Sequence, residues 1–403
     1  MTDVVSRHGT LLGRLAGDGR RRRALLPSAN FRDNNFDLLR LLAALQVVYF
    51  HVYLHLHVEL PWRLSAINGI VSLFPGVPMF FVISGFLVSR SYERSPDAWS
   101  YARNRFLRLY PGLWTCLAFS LVLVWAFGFL SKEFVLSYRF AAWLITQLTF
   151  LQDYNPPEFR GFGTGVVNGS LWTIPIEVSF YAVLPLLYSA RRRIAELRVA
   201  WLLCSGLILA SYATYFVVTV VGDRETNFLL KLLDVTLAPH LFLFLSGVLA
   251  QRYWDRVSVF FEGRLALWTV PVLVLGWTHR DIVLGLKAGS LPGLLELVAF
   301  ATGALSRLAL AGWTLAFAFS HRSWSATLLR HNDLSYGVYI YHALVLNSFL
   351  ELGWTRRPVF LVAAAAITLA SAWLSWRFVE RPALARKRNS IAARGGSEVA
   401  QAS

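Results

Sequence analysis

A few ionisable side chains in this 403-residue sequence stand where apolar neighbours leave them little solvation. Arg40 and His51 lie eleven residues apart in the run from Phe36 to His51, which is otherwise almost entirely apolar. At 100° per residue, eleven residues come within about 20° of three full turns, so on a helix the two share a face, roughly 16 Å apart along the axis. With Arg40 near one membrane surface, that spacing alone puts His51 about halfway across. A histidine there suits general-base chemistry, because its unperturbed titration falls near neutrality. It suits equally well a structural hydrogen bond to a neighbouring helix. His55 follows one turn later, but no carboxylate pattern accompanies the pair, and no metal site is assigned.

Two further segments carry chemistry. In Arg103-Asn-Arg105-Phe-Leu-Arg108 the i, i+3 spacing puts Arg105 and Arg108 on one helix face. Their forked guanidiniums can hold a polyanion such as the phosphates of a nucleotide, or can simply anchor a helix at the cytoplasmic surface. Glu177 is carried into an apolar helix two residues after Pro175. It is free to pair with His51 or with a buried arginine, as a catalytic orienter or as a structural ion partner. Gly76, Ser84 and Gly85 on another apolar run permit close helix contact or a cavity.

The elements that must position these residues follow from composition. Charged residues make up only 15% of the chain against 56% hydrophobic, and mean hydropathy is +0.49. A soluble fold of this length could not conceal that much apolar surface. Two cysteines, Cys116 and Cys204, both inside apolar runs, exclude a secreted disulfide scaffold. Apolar runs at about 37–58, 67–89, 106–130, 171–190, 199–221, 235–251, 265–278, 291–319, 334–352 and 358–378 predict an all-α polytopic membrane protein with about ten transmembrane helices. The stretch 140–151 is short for a span and reads as interfacial or re-entrant. With both termini cytoplasmic, 28 Lys/Arg fall inside and 10 outside, the asymmetry the positive-inside rule requires. The formal charge of +16 is therefore a record of topology, and a nucleic-acid partner is not expected. Arg20–Arg23 belong to a basic flexible cytoplasmic arm, residues 1–35, with no apolar core of a signal peptide. Residues 36–386 form the transmembrane domain, and 387–403 a flexible cytoplasmic tail.

Taken together, the segments resemble the acyltransferase 3 family of integral membrane O-acyltransferases. FDLLRLLAALQVVYFH carries its Arg-x10-His signature at Arg40 and His51. GVPMFFVISGFL (76–87) is similar to its second-helix pattern, and Arg105-Phe-Leu-Arg108 to its Arg-x-x-Arg motif. SLWTIPIEVSFYAVLPLL (170–187), LSYGVYIYHALV (334–345) and FVERP (378–382) resemble its later motifs. The resemblance runs from about residue 36 to 386, and leaves no room for the extracytoplasmic hydrolase-like domain that some members carry. It implies transfer of an acyl group, most often acetyl from cytoplasmic acyl-CoA as co-substrate, to a hydroxyl of a surface glycan or of a glycosylated small molecule such as a macrolide. It implies His51 as base and Arg105 and Arg108 on the CoA phosphates; Glu177 is then expected to orient His51 or stabilise the imidazolium, and Arg40 to organise the channel or stabilise negative charge on the donor. The implied location is the inner membrane, multi-pass. A glycan transporter or flippase would also need intramembrane ionisable residues, but should show internal repeats, and none is evident. A sensor or scaffold without chemistry would not need Arg40, His51, Arg105 and Arg108 together.

Overall fold

The protein is described by a computed structural model covering residues 34–95, 97–194, 197–222, 227–287, 293–321, 323–330 and 332–386. The basic arm up to residue 33, with Arg20–Arg23, and the tail from 387 lie outside the described residues. Every regular element among the described residues is helical. Local sequence explains the helix starts. In α1 (Phe36–His55) the Asn34 side chain accepts from the Phe36 N–H at 3.1 Å, and Asp37 in the first turn complements the helix dipole. Asn35, fully buried, instead donates to the carbonyls of Ser320 (2.6 Å) and His321 (3.0 Å) and accepts from the Ser325 N–H at 3.0 Å. That clasp joins the start of α1 to the end of the helix Leu294–Phe319. At the opposite end of α1, backbone bonds join Leu56 and Glu59 to Arg356. The two ends of the bundle are thereby defined by contacts between distant segments.

Among the described residues seven helices are long and apolar enough to cross a membrane, or eight if Trp254–Phe260 and Leu265–Leu286, bent by 75°, are taken as one span. The sequence expects ten. The expected run 235–251 contributes only the 12-residue helix Leu241–Arg252, about 18 Å long. The run 334–352 becomes the 17-residue helix Ser335–Glu351, whose residues are nearly all buried. An apolar run enclosed by other helices meets protein rather than lipid, so it need not match the bilayer thickness. The 140–151 stretch yields the 11-residue helix Tyr138–Leu148, about 16 Å long, capped by Ser137 and docked by a 3.0 Å bond from the Trp114 indole to the Leu148 carbonyl. It is too short to span, in agreement with the sequence reading.

Glycines set the closest approaches. We label α2 (Gly76–Arg94), α3 (Ala98–Ala126), α4 (Thr173–Arg193), α5 (Leu241–Arg252), α6 (Ser335–Glu351) and α7 (Val359–Ser375). A Cβ on Gly76 would lie 2.2 Å from the Ala43 carbonyl of α1. Gly85 of α2 and Gly247 of α5 face each other's backbones: a Cβ would fall 2.0 Å from the Phe244 carbonyl or 2.1 Å from that of Val82. Small residues let helices in lipid reach van der Waals contact, which replaces the hydrophobic drive absent there. In the layer formed in this way α2 packs on both α1 and α5, while α6 packs on α1, α7, α3 and the turn Gly169–Trp172.

A methyl group at the α2–α5 crossing has nowhere to go, because both obstacles are backbone. Gly85→Ala should therefore destabilise the protein by roughly 1–3 kcal/mol, the usual cost of overpacking. Gly206→Ala, where nothing lies within 4 Å, should be neutral or slightly stabilising. Thermal unfolding of the two variants in the same detergent checks the contrast, and equal melting temperatures would refute the crossing.

Candidate active site

The site is organised around a carboxylate in the segment before α6. One oxygen of Asp333, Oδ2, accepts from Arg40 Nη1 at 2.7 Å and from Arg108 Nη2. The other, Oδ1, accepts from the backbone N–H (3.2 Å) and the hydroxyl (2.5 Å) of Ser335, so the same side chain caps the start of α6. All three charged side chains are largely buried, at 18%, 13% and 10% exposure for Arg40, Arg108 and Asp333. Burial would raise the Asp333 carboxyl, but Arg108 and Arg40 outweigh it and hold the group below the usual carboxylate range. The node joins α1, α3 and α6.

Arg105, one turn before Arg108 on α3, points elsewhere. Its Nη2 donates to Ser91 Oγ at 3.0 Å and its guanidinium lies 5.5 Å from the Tyr181 ring. The Tyr181 hydroxyl donates to Glu177 Oε1 on the same helix, and Tyr101 on α3 donates to the Tyr181 carbonyl at 3.0 Å. A cavity of about 310 Å³ opens between these groups. Its wall includes the Arg40–Arg108–Asp333 node together with Arg105, Glu177, Ser84, Phe80 and Tyr339. Two buried polar atoms of that wall, Arg105 Nε and Ser84 Oγ, have no hydrogen-bond partner among the described residues. Buried polar atoms are normally satisfied, so a donor and a hydroxyl left open beside a cavity point to a polar ligand. Three arginines against two acids, in an otherwise mostly apolar wall, fit an anionic group carrying a slender uncharged arm.

His51 stands outside this cavity wall. It lies four residues before the end of α1, nearer that end than the midpoint expected from its spacing to Arg40. It is half-buried, and its Nδ1 is 2.8 Å from Nε2 of His342 on α6. His342 is fully buried, with Nδ1 2.6 Å from the Tyr339 carbonyl. Phe80 and Tyr339 line the cavity, ring to ring at 5.6 Å, and the Tyr339 ring lies 5.9 Å from that of His342, with the Tyr339 hydroxyl accepting a 2.9 Å bond from Thr173.

The structure therefore brings Arg40 and Arg108 together, and sets Arg105 beside the Glu177–Tyr181 pair. It does not bring Glu177 to His51: the hydrogen-bond partner of His51 is His342. Asp333 and His342 are the residues that sequence reasoning overlooked. Both have a readable signal, since His342 is an ionisable group within an apolar run and Asp333 is a lone acid at the start of the same motif. Arg307, the arginine within an expected span, belongs to a different place, with Nη2 2.5 Å from the Tyr215 hydroxyl. Among the described residues no group of three or more His, Cys, Asp or Glu is arranged to hold a metal ion.

Comparison with known proteins agrees with the motifs. The model of the acyltransferase 3 family, described as an acyltransferase domain, matches residues 33–377. The chain is 34% identical over 369 residues to nodulation protein 10 of Rhizobium leguminosarum bv. viciae, covering 90% of this chain and 95% of that protein. It is 25% identical over 366 residues to an O-acetyl transferase of Shigella phage Sf6, covering 88% and 97% respectively. No solved structure matches it. A multi-pass helical membrane protein whose family match takes in Arg40, His51, Arg105, Arg108, Glu177, Asp333 and His342 alike, the chain belongs to the acyltransferase 3 family.

Proposed function

We propose that the protein is an inner-membrane O-acyltransferase that moves an acyl group, acetyl in the first instance, from cytoplasmic acyl-CoA to a hydroxyl of a surface glycan. The observation that carries this reading is the cavity, cationic at the Arg40–Arg105–Arg108 end and walled by Phe80 and Tyr339 near the histidine pair. At about 310 Å³ it is at the small end of ligand sites, which suits an acyl-pantetheine arm with the nucleotide outside at the mouth. The excess of Lys/Arg assigned to the cytoplasmic side by the sequence, Arg40, Arg105 and Arg108 among them, supports an arginine end that faces the side where acyl-CoA is made. The name of the phage relative, O-acetyl transferase, supports a hydroxyl acceptor and an acetyl donor.

In this mechanism Arg105 offers its unpartnered Nε to the donor, and Asp333 holds Arg108 and Arg40 in place at the same mouth. His51 takes the proton of the acceptor hydroxyl as that oxygen bonds to the thioester carbonyl carbon. The tetrahedral intermediate then expels the CoA sulfur, which receives the proton from His51. An ester and free CoA thiol result, and His51 returns to its neutral form. Because His51 is not part of the cavity wall, a path from the cavity to His51 must open for the thioester to meet it.

His51→Ala should lower transfer by about 10²–10⁴-fold, the usual contribution of a general base, while acetyl-CoA still binds. Mass spectrometry of surface glycans from cells carrying the wild-type or variant chain reads the outcome as the presence or loss of the acetyl mass. Wild-type acetylation by the variant would sink the proposal.

Arg105→Gln removes a charged hydrogen-bonding group without disturbing the Asp333 node, so acetyl-CoA should bind roughly 10- to 100-fold more weakly. Equilibrium binding of labelled acetyl-CoA to purified protein tests this, and unchanged affinity would remove Arg105 from the donor site.

Asp333→Ala should act differently, by leaving two buried guanidiniums uncompensated. The expected cost is about 3–5 kcal/mol of stability, seen as a lower unfolding temperature in detergent. A variant as stable as wild type would show that the node is not structural.

A further inference from the structure

The hydrogen bonds around His342 determine more than its position. A carbonyl oxygen can only accept, so the 2.6 Å contact to the Tyr339 carbonyl requires the proton of His342 to be on Nδ1. A neutral imidazole has one N–H, and Nε2 of His342 therefore presents a lone pair. That lone pair faces Nδ1 of His51 at 2.8 Å, so Nδ1 of His51 must be the donor. It follows that neutral His51 is held with its proton on Nδ1 and its lone pair on Nε2, and Nε2 makes no hydrogen bond among the described residues. Protonating His342 would reverse the order, turning His51 to accept at Nδ1 and to lose its free lone pair. Full burial, with both ring nitrogens already engaged, disfavours that charged form.

We propose that His342 is a positioning residue, which together with the Tyr339 carbonyl fixes His51 in the one tautomer able to take a proton through Nε2. This rests on His51 being the base, and adds what makes it competent. When Nε2 accepts the acceptor's proton, His51 becomes an imidazolium whose Nδ1–H still points at the His342 lone pair. The hydrogen bond then becomes charge-assisted and strengthens without any side chain moving. The relay performs the orienting task of the carboxylate in a serine hydrolase triad, using a neutral partner.

Two variants and one spectrum test the proposal on the full-length protein in nanodiscs. His342→Leu removes the acceptor, whereas His342→Gln can place its amide oxygen near the position of Nε2. The expected result for His342→Leu is a fall in kcat of about 10²–10⁴-fold with the KM for acetyl-CoA within twofold of wild type. His342→Gln should recover at least tenfold of that loss. ¹⁵N NMR of histidine-labelled protein, with the His51 signals identified by their disappearance in His51→Ala, should show wild-type His51 protonated at Nδ1 and bare at Nε2. The bare Nε2 should become partly protonated in His342→Leu. A wild-type His51 protonated at Nε2, a fully active His342→Leu, or a folded His342→Gln as inactive as His342→Leu would each overturn the inference. If His342→Leu does not fold, the wild-type spectrum and His342→Gln still decide it. An inactive His51→Ala beside an active His342→Leu would refute the relay alone, whereas an active His51→Ala would refute the base itself.

Discussion

One carboxylate oxygen shared by two guanidiniums holds the functional half of this fold together. Asp333 receives Arg40 from α1 and Arg108 from α3 on the same oxygen, and uses the other to start α6. None of these charges is comfortable where it is. Each would be expensive to bury alone, and two arginines in contact would repel. The shared acid resolves both problems only if three helices meet at one point, so the electrostatic requirement becomes a geometric one. The start of α6 then determines where the next two turns of that helix fall, and Tyr336, Tyr339 and His342 project from those turns. Tyr336 makes the dependence explicit, since its hydroxyl donates back to the Leu109 carbonyl, one residue beyond Arg108, at 2.8 Å.

Around this node the remaining packing is governed by backbone distance. α6 is almost fully enclosed, packed against α1, α3 and α7, and α1 in turn carries α2, which carries α5 at close range. The glycines at 76, 85 and 247 allow that close approach where α1 meets α2 and α2 crosses α5. Where polar groups result from close approach, they find partners: the N–H of the buried Gly76, at the start of α2, donates to Gln46 Oε1 at 2.7 Å. On the other side of α6, Asn347 accepts from the Thr164 N–H at 3.0 Å and donates to the carbonyls of Val166 (2.8 Å) and Val167 (3.0 Å). Irregular backbone from the long loop before α4 is thereby satisfied by protein, the condition for such backbone to lie against a membrane core.

These particulars explain which features the sequence discloses. Helical periodicity is local, so the common face of Arg40 and His51, and the proximity of Arg105 to Arg108, can be read from spacing alone. The all-helical class is equally legible, because composition and run length speak directly to lipid. Partner choice is not local. Asp333 is 293 positions from Arg40 and 225 from Arg108, and only the meeting of three helices selects it. Glu177 looks like the natural companion of His51, an acid for a base, yet its own helix supplies Tyr181 one turn away. The number of spans is blurred for a related reason. Hydropathy records that a run is apolar, but not whether lipid or protein covers it, and α5 and α6 are apolar for the second reason.

The placement of Glu177 away from His51 has a chemical logic under the proposed reading. A carboxylate beside His51 would stabilise the imidazolium before any substrate arrived, and a base that is already protonated cannot accept a proton. A neutral histidine partner gives orientation without that bias. The formal charges gather instead at the cavity: Arg40, Arg108 and Asp333 in the node, Arg105 and Glu177 beside Tyr181. An acyl-CoA has the same division, with anionic phosphates at one end and an uncharged thioester at the other. Under the proposed reading the cavity arginines would meet the phosphates, and the uncharged histidine pair would meet the thioester. Moving an acid to His51 would confuse the two ends, attracting no part of the donor and leaving more of the base protonated before the acceptor arrives. On this argument the neutrality of the His51–His342 pair is as much a design feature of the site as the positive charge at its mouth.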